Sequence, residues 1–393
     1  MSPEQRFFIQ ILKDHLAGIK TNLNSSIDWN ILLTYARIHE VEGIVFYQCK
    51  KILPAEIISP LDRKFSASLF YFKNREHALS DLKKAFNIAD ICSFTVKGLD
   101  IAACYPIPNL RTMGDVDIVV HKENKTRAGE VLEGLGYSCN LKAPDYDWSY
   151  RRDRLFIELH HQLFYIEPGR NRKQADFFNQ CWGYVENGEL DWSFHFLFIL
   201  AHLRKHMVNS GAGFRMYIDV AAIIKNDPGI NWEWVDEKLE VLEMGKFARI
   251  CFALCERWFG VQAPIRYDSI SDSFFEEATE KVFSNGVFGF NDIRNKNNVS
   301  VNAILGNKRV RWLSRIQMIL RFMFPRYMHM RYIRAYSFIE EKPWLLPIAW
   351  IYRFIRLLMG KTQSITYFAQ RASVSDEEVD QREEEMKRWG LLE

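Results

Sequence analysis

The sequence has almost no excess charge of either sign: 52 Lys and Arg stand against 49 Asp and Glu in 393 residues, a formal net charge of +3. Total charge therefore argues neither for a nucleic-acid binder nor for an enzyme of acidic substrates, and no specific nucleic-acid partner is expected. Cysteine is sparse as well. The seven cysteines are odd in number and scattered, which suits a reduced, cytoplasmic compartment. Cys251 and Cys255 share one face of the apolar run ICFALCERWF, where core packing accounts for them better than metal or redox work. The N-terminus lacks a small-residue cleavage site and carries Asp14 and His15 soon after its first apolar residues, so it does not read as a signal peptide. It reads as a capped helix, with Ser2 as N-cap, Pro3 at the first helical position, and Glu4 and Gln5 in the first turn. No internal repeat is evident. The most apolar stretch, WLLPIAWIYRFIRLLMG (Trp344 to Gly360), is too short for a membrane span and is broken by Pro347, Arg353 and Arg356.

What remains is ordinary globular composition, 48% hydrophobic and 26% charged, in a chain long enough for two or three domains. Helical spacing of apolar residues (Phe7, Ile11, Leu12, Leu16; Trp29, Leu32, Leu33, Ala36) predicts an N-terminal helical region over 1–88. A mixed region follows over 89–188. Ile91 to Val96, Asp115 to Val120 and Arg154 to Phe164 read as strands, and Gly98 to Cys104 and Glu123 to Leu135 as helices. Gly134 and Gly136 close the second of those helices, and Tyr137 restarts extended structure. From 189 to 300 the helical pattern returns as a bundle, with the polar run from Ile293 to Lys308 expected as a loop. The fold class is α+β: a small mixed sheet with flanking helices, an N-terminal helical region and a C-terminal helical domain.

The last part, 301–393, divides by charge. Lys308, Arg309, Arg311, Arg315, Arg321 and Arg326, then Arg331, Arg334, Lys342, Arg353, Arg356 and Lys361, are opposed only by Glu340 and Glu341. The partner of such a segment is expected to be anionic. Two readings stand: an aromatic and basic amphipathic helix resting on an anionic membrane at the inner face of the cell, and a domain helix with snorkelling arginines. The acidic tail SDEEVDQREEEMKRW reads as a solvated helix or as disordered.

The residues that could carry chemistry begin at Lys97-Gly98 and GDVDIVV. Asp-x-Asp alone is a weak signal, and the chain holds a second one, Asp145-Tyr-Asp147, in a polar turn after Pro144. In GDVDIVV, strand alternation puts Asp115 and Asp117 on one side and Val116 and Ile118 on the other. Two like charges so close raise each other's pKa unless a cation lies between them. Magnesium suits the case, because it takes hard oxygen ligands and completes its shell with water and phosphates. Two such ions, about 3.5–4 Å apart, clamp the attacking and leaving oxygens of a phosphoryl displacement. A third carboxylate is then wanted on a neighbouring strand. Glu158 in LFIELHHQLF is the candidate, with a surface-facing position on a half-buried sheet as the plainer reading. Gly98 would let a ligand approach the backbone, and Lys97 would add a point charge. His202 and His206, one helical turn apart in HLRKH, have zinc-like spacing but no third ligand nearby, so a phosphate-facing role beside Arg204 and Lys205 is preferred. His160 is expected to pack.

In order, Lys97-Gly98, Tyr105-Pro106, Arg111, Asp115-Val116-Asp117 and Glu158-Leu159-His160 resemble a bacterial family of largely uncharacterised nucleotidyltransferases. That family lies within the superfamily that includes DNA polymerase beta and the antibiotic nucleotidyltransferases. The likeness continues through HLRKH and FRMYIDVAAII. The resemblance implies a nucleotidyltransferase sheet and a magnesium-dependent transfer of an NMP from an NTP, ATP among them, to a hydroxyl acceptor, with release of pyrophosphate. It gives Asp115, Asp117 and Glu158 the two metal ions, with Glu158 also a general base, and gives Lys97, Gly98 and Arg111 the triphosphate. Arg215 and Asp219 are helical i,i+4 partners, read equally as a surface ion pair or as nucleotide-positioning residues. The chain departs from the wider superfamily in having Lys-Gly-Leu rather than Gly-Ser at the turn, and Glu rather than Asp as third acid. Those departures motivate the alternative, a catalytically inert nucleotide- or partner-binding protein at a membrane-surface assembly.

Overall fold

The first helix is built as its sequence specifies. Helix α1 (Pro3–Ala17) starts at Ser2, whose side chain accepts from the Gln5 amide while the Gln5 side chain accepts from the Ser2 amide, and it ends at Gly18 in the left-handed region. The computed structural model describes residues 1–22, 26–141, 147–165, 172–287, 298–305, 311–331, 333–340, 342–359 and 374–392. Asp145, Lys308, Arg309, Glu341 and Lys361 lie outside them. By its contacts the chain divides into two compact units, 1–207 with 211–291, and 208–210 with 292–393.

In the first unit, helices α2 (Trp29–Ile38), α3 (Glu42–Cys49) and the long α4 (Ala55–Ile88) precede a five-stranded mixed sheet. Its strands are β1 (Ser93–Val96), β2 (Val116–Val120), β3 (Ser138–Leu141), β4 (Trp148–Arg152) and β5 (Leu155–His160). They lie in the order β1-β2-β5-β4-β3. Only β2 and β5 run parallel, and helix α5 (Gly98–Ala103) and helix α6 (Lys125–Gly134) sit in the connections. Val116, Ile118 and Val120 pack with Leu82 and Phe86 of α4 and Leu132 of α6, so that face of the sheet is core. Alternation then turns Asp117 and Val119 to the other face.

That other face meets helix α8 (Trp192–Asn209), which follows a short helix α7 (Arg172–Phe178). Helices α9 (Phe214–Asn226), α10 (Trp232–Val241), α11 (Gly245–Phe259) and α12 (Asp272–Asn285) complete the bundle. Cys251 and Cys255 are fully buried on α11, as expected of packing residues. Two buried histidines fasten the N-terminal helices: His15 on α1, and His39, whose Nδ1 accepts from the Phe214 amide at 3.4 Å. Burial pushes their pKa down to about 4 and about 3 from 6.5. In the native state both stay neutral where the unfolded chain has already bound a proton. Stability therefore falls as pH drops from about 6.5 towards 4. Thermal melts over that range are expected to show a steadily falling Tm.

The second unit holds α13 (Asn298–Ile304), α14 (Arg311–Met323), α15 (Tyr327–Met330), α16 (Leu346–Leu358) and α17 (Asp376–Arg388). Within the loop expected from Ile293 to Lys308, Asn298–Ile304 is instead helical, with Val301 and Ile304 packed against Val374 and Val379; residues 293–297 and 306–308 lie outside the described residues. The acidic tail is helical from Asp376, with a Ser375–Glu378 capping box. Its Asp380 and Glu383 bind Arg311, so it tethers part of the basic segment.

Candidate functional site

Asp117 sits on β2, between β1 and the central strand β5, 4% exposed, and the strand register defines its neighbours. On β5 it faces Glu158, and on β1 it faces Val96, the residue before Lys97. Parallel pairing therefore places two carboxylates side by side on the polar face of the sheet. The Lys97 ammonium lies 3.1 Å from Asp117 Oδ1, and His160 Nε2 lies 3.0 Å from the same oxygen. Burial alone would raise the Asp117 pKa, but the charge of Lys97 and the His160 hydrogen bond hold it well below the usual carboxylate range.

His160 does more than pack. Its Nδ1 donates to Asp147 Oδ1 at 2.7 Å, and Asp147 in turn accepts from the Tyr165 hydroxyl at 2.7 Å. Burial lowers a histidine pKa, yet hydrogen bonds to Asp117 and Asp147 and their charges raise His160 to about 9. It is thus an imidazolium donating from both nitrogens, clamped between two carboxylates. Asp147, half of the apparently idle second Asp-x-Asp, leads into β4 and is the residue that orients it.

Glu158 is less enclosed. Its Oε2 lies 3.6 Å from His160 Nε2, and burial with the charges of Asp115 and Asp117 raises its pKa. Ligand atoms of Asp117, Glu158 and His160 all lie within 4.8 Å of one another, a cluster able to hold a metal ion. Asp115 precedes β2 and is exposed, yet its charge acts on both Lys97 and Glu158. The donor set fits magnesium through its oxygens. With both nitrogens of His160 facing carboxylates, Asp117 and Glu158 supply the hard oxygen ligands of that cluster, and Asp115 is not brought into it.

Lys97 is held in a conformation that its residue type disfavours. Its backbone is at φ 60° and ψ −128°, a region that costs a non-glycine residue about 1–3 kcal/mol. Two bonds fix it: the Lys97 amide donates to His195 Nε2 at 2.9 Å, and the side chain reaches Asp117. His195 can accept because burial pushes its pKa down to about 3 and keeps it neutral. Gly98 follows at φ 36°, with no atom within 4 Å of where a Cβ would stand. The turn thus has open space beside it.

Arg111 and Asp219 prove to be partners of each other. Arg111 Nε and Nη2 donate to the two oxygens of Asp219 at 2.7 and 2.9 Å, and Nη1 donates to the Gly98 carbonyl at 2.9 Å. The Tyr105 hydroxyl donates to Asp219 Oδ1 at 2.6 Å. Both charged residues are buried, so Asp219 is not part of a helix-surface pair, and Arg111 braces the Lys97-Gly98 turn through the Gly98 carbonyl. Arg215 reaches Glu40 at 2.9 Å and the Thr112 carbonyl at 3.2 Å. Lys97, Arg111, His202, Arg215 and Asp219 line one small cavity of about 50 Å³, and His206 Nε2 stands 3.1 Å from His202 Nε2 behind it. Burial, with Lys97 second, lowers both histidines, His206 to about 4. Of the residues expected at the nucleotide, Lys97, Arg111, Arg215 and Asp219 thus share one cavity, and His206 is not in its lining.

On another side is a larger cavity of about 240 Å³, between α3, α4 and the segment 109–113 that leads to Asp115. Phe46, Phe65, Tyr71 and Phe72 form its apolar walls, with Ser68, Lys64, Arg75 and Asn109 among its polar ones. Arg75 Nη2 donates to the Gly114 carbonyl at 3.2 Å, while Arg75 Nε and Asn109 Oδ1 are buried without partners among the described residues. No local sequence signal marked Arg75 or His195, and Asp147 was marked only by the second Asp-x-Asp, read as a turn.

Compared with known proteins, the chain matches the model of one family, described as uncharacterised nucleotidyltransferase, over residues 25–260. No curated protein and no solved structure matches it.

Proposed function

The chain belongs to the uncharacterised nucleotidyltransferase family, and from that premise we propose that it moves an NMP from an NTP to a hydroxyl acceptor with magnesium at Asp115, Asp117 and Glu158. One observation carries the reading: Asp117 and Glu158 are paired in register on adjacent parallel strands. In the transfer, the acceptor oxygen bonds to the α-phosphorus, the α–β bridging bond breaks, and pyrophosphate leaves with that electron pair. The hydroxyl proton passes to Glu158, whose raised pKa suits a proton acceptor. Magnesium, when bound, supplies charge stabilisation at the reacting phosphate. Lys97, with Gly98, Arg215 and His206, faces the triphosphate, and the Arg111–Asp219–Tyr105 brace holds the turn that presents Lys97. His160, oriented by Asp147, positions the Asp117 carboxylate.

The acceptor enters through the cavity between α3 and α4, whose lining includes Thr112 and Met113, just before Asp115 in the chain. A space of this size takes a small molecule or the end of a larger one, with aromatic faces for its apolar side and Arg75 and Asn109 for its polar groups. Thermal shift with magnesium and each NTP in turn tests the nucleotide half. Ligand at 100 times its Kd adds about 2.7 kcal/mol of stability. Asp115→Asn, a change at an exposed residue, is expected to remove that shift. Ser68→Trp, which fills the other cavity from an exposed position on α4, is expected to keep it while raising the acceptor KM about tenfold or more. A wild-type protein stabilised by no Mg-NTP would contradict the proposal.

A further inference from the structure

Most of the large apolar side chains exposed among the described residues lie between Trp312 and Met359, in the second unit. They are ordered by helical period. On α14, Trp312, Ile316 and Ile319 stand at i, i+4 and i+7, and on α16, Ile348, Ile351 and Ile355 stand at i, i+3 and i+7, all at least 40% exposed. Trp344, just before α16, is 73% exposed. The opposite side of α16 is the packed one: Ala349 is fully buried with Tyr336 and Ile339, and Trp350 donates to the Pro325 carbonyl at 2.8 Å. A helix that buries its small residue and presents its isoleucines has its apolar face turned outward, the reverse of an ordinary domain helix.

The cations of this segment are only partly neutralised. Arg311 and Arg315 are neutralised by Asp380, Glu383 and Asp376 of α17, but exposed Arg321, Arg326 and Lys342 pair with no carboxylate among the described residues. No helix of the described residues is long and apolar enough to cross a membrane. We propose that α14 and α16 dock the protein on an anionic lipid surface, with the isoleucine stripes and Trp344 in the interfacial layer and the unpaired cations at the headgroups. Tryptophan at that depth has its apolar ring and its N–H both accommodated. A second copy of the chain is the poorer occupant, because a two-fold contact would oppose the same basic side chains.

Sedimentation of the full-length protein with vesicles of phosphatidylcholine, alone or mixed with phosphatidylglycerol, tests this. Binding is expected on the mixed vesicles, weakened by salt and much weaker on phosphatidylcholine alone. Ile348→Glu with Ile351→Glu, and separately Arg321→Glu with Arg326→Glu, should each reduce it about tenfold or more. All four side chains are exposed, so circular dichroism should report an intact fold. Absence of binding to mixed vesicles at low salt, binding untouched by both double variants, or a solution dimer that Ile348→Glu with Ile351→Glu dissociates would overturn the proposal.

Discussion

Asp219→Ala is expected to destabilise the first unit by about 3–5 kcal/mol, among the largest effects of any single substitution outside the apolar core. The loss follows from what remains: a buried guanidinium with only the Gly98 carbonyl, and a Tyr105 hydroxyl without its acceptor. Arg111→Met together with Asp219→Leu removes both charges and should recover much of that stability, since apolar pairs of similar volume often replace buried ion pairs without loss. Chemical denaturation of the single and double variants measures both. If Arg111 and Asp219 were instead held apart for nucleotide, either single variant would weaken NTP binding while leaving the denaturation midpoint in place.

Asp117→Asn should have the larger effect on chemistry, about a thousandfold or more on turnover, because it removes the carboxylate on which Lys97, His160 and the metal site converge. The substitution keeps the shape of the side chain. It also has a readout independent of turnover. Without the Asp117 charge the His160 pKa should fall from about 9 towards the ordinary histidine range, held up then by Asp147 and the nearby Glu158. An NMR titration of His160 that is unmoved in Asp117→Asn would contradict the network described here.

The parts of this site that local pattern could carry were legible. GDVDIVV places its apolar residues so that alternation alone turns Asp117 to the face opposite Val116 and Ile118, and Lys-Gly between a strand and a helix marks a turn. Glu158 stood out as an acid amid an apolar strand, and the observed β5 runs from Leu155 to His160, inside the expected span. Long-range partners were not legible. Arg215 precedes Asp219 by one helical turn and looks like its mate, yet the ion partner is Arg111, 108 residues away. Likewise Asp147, after Pro144 in a polar stretch, looked like a turn residue, and Trp148–Arg152 was not among the expected strands. Pairing with β5 makes it a strand, and that pairing aims Asp147 at His160. Tyr105 belonged to the family pattern without a stated role, and Arg111 was expected at the triphosphate; both bind Asp219, and Arg111 also reaches the Gly98 carbonyl.

The departures from the superfamily also acquire physical content. With no serine hydroxyl at the turn, the strained Lys97 brings an ammonium directly to Asp117. In the proposed transfer Glu158 as third acid reaches further than Asp would from the same register position, and its raised pKa suits it to accept the proton. The proposal thus puts the chemistry on Asp117 and Glu158 rather than on the Lys97-Gly98 turn.

Pyrophosphate release tests that placement most directly. Purified protein is incubated with each NTP, with and without magnesium, across a panel of small hydroxylated acceptors, beside Glu158→Gln. Release that requires magnesium, responds to one acceptor class and falls by roughly a hundredfold or more in Glu158→Gln is the expected result. Release that Glu158→Gln leaves at the wild-type rate, or none from any NTP with any acceptor, would contradict it.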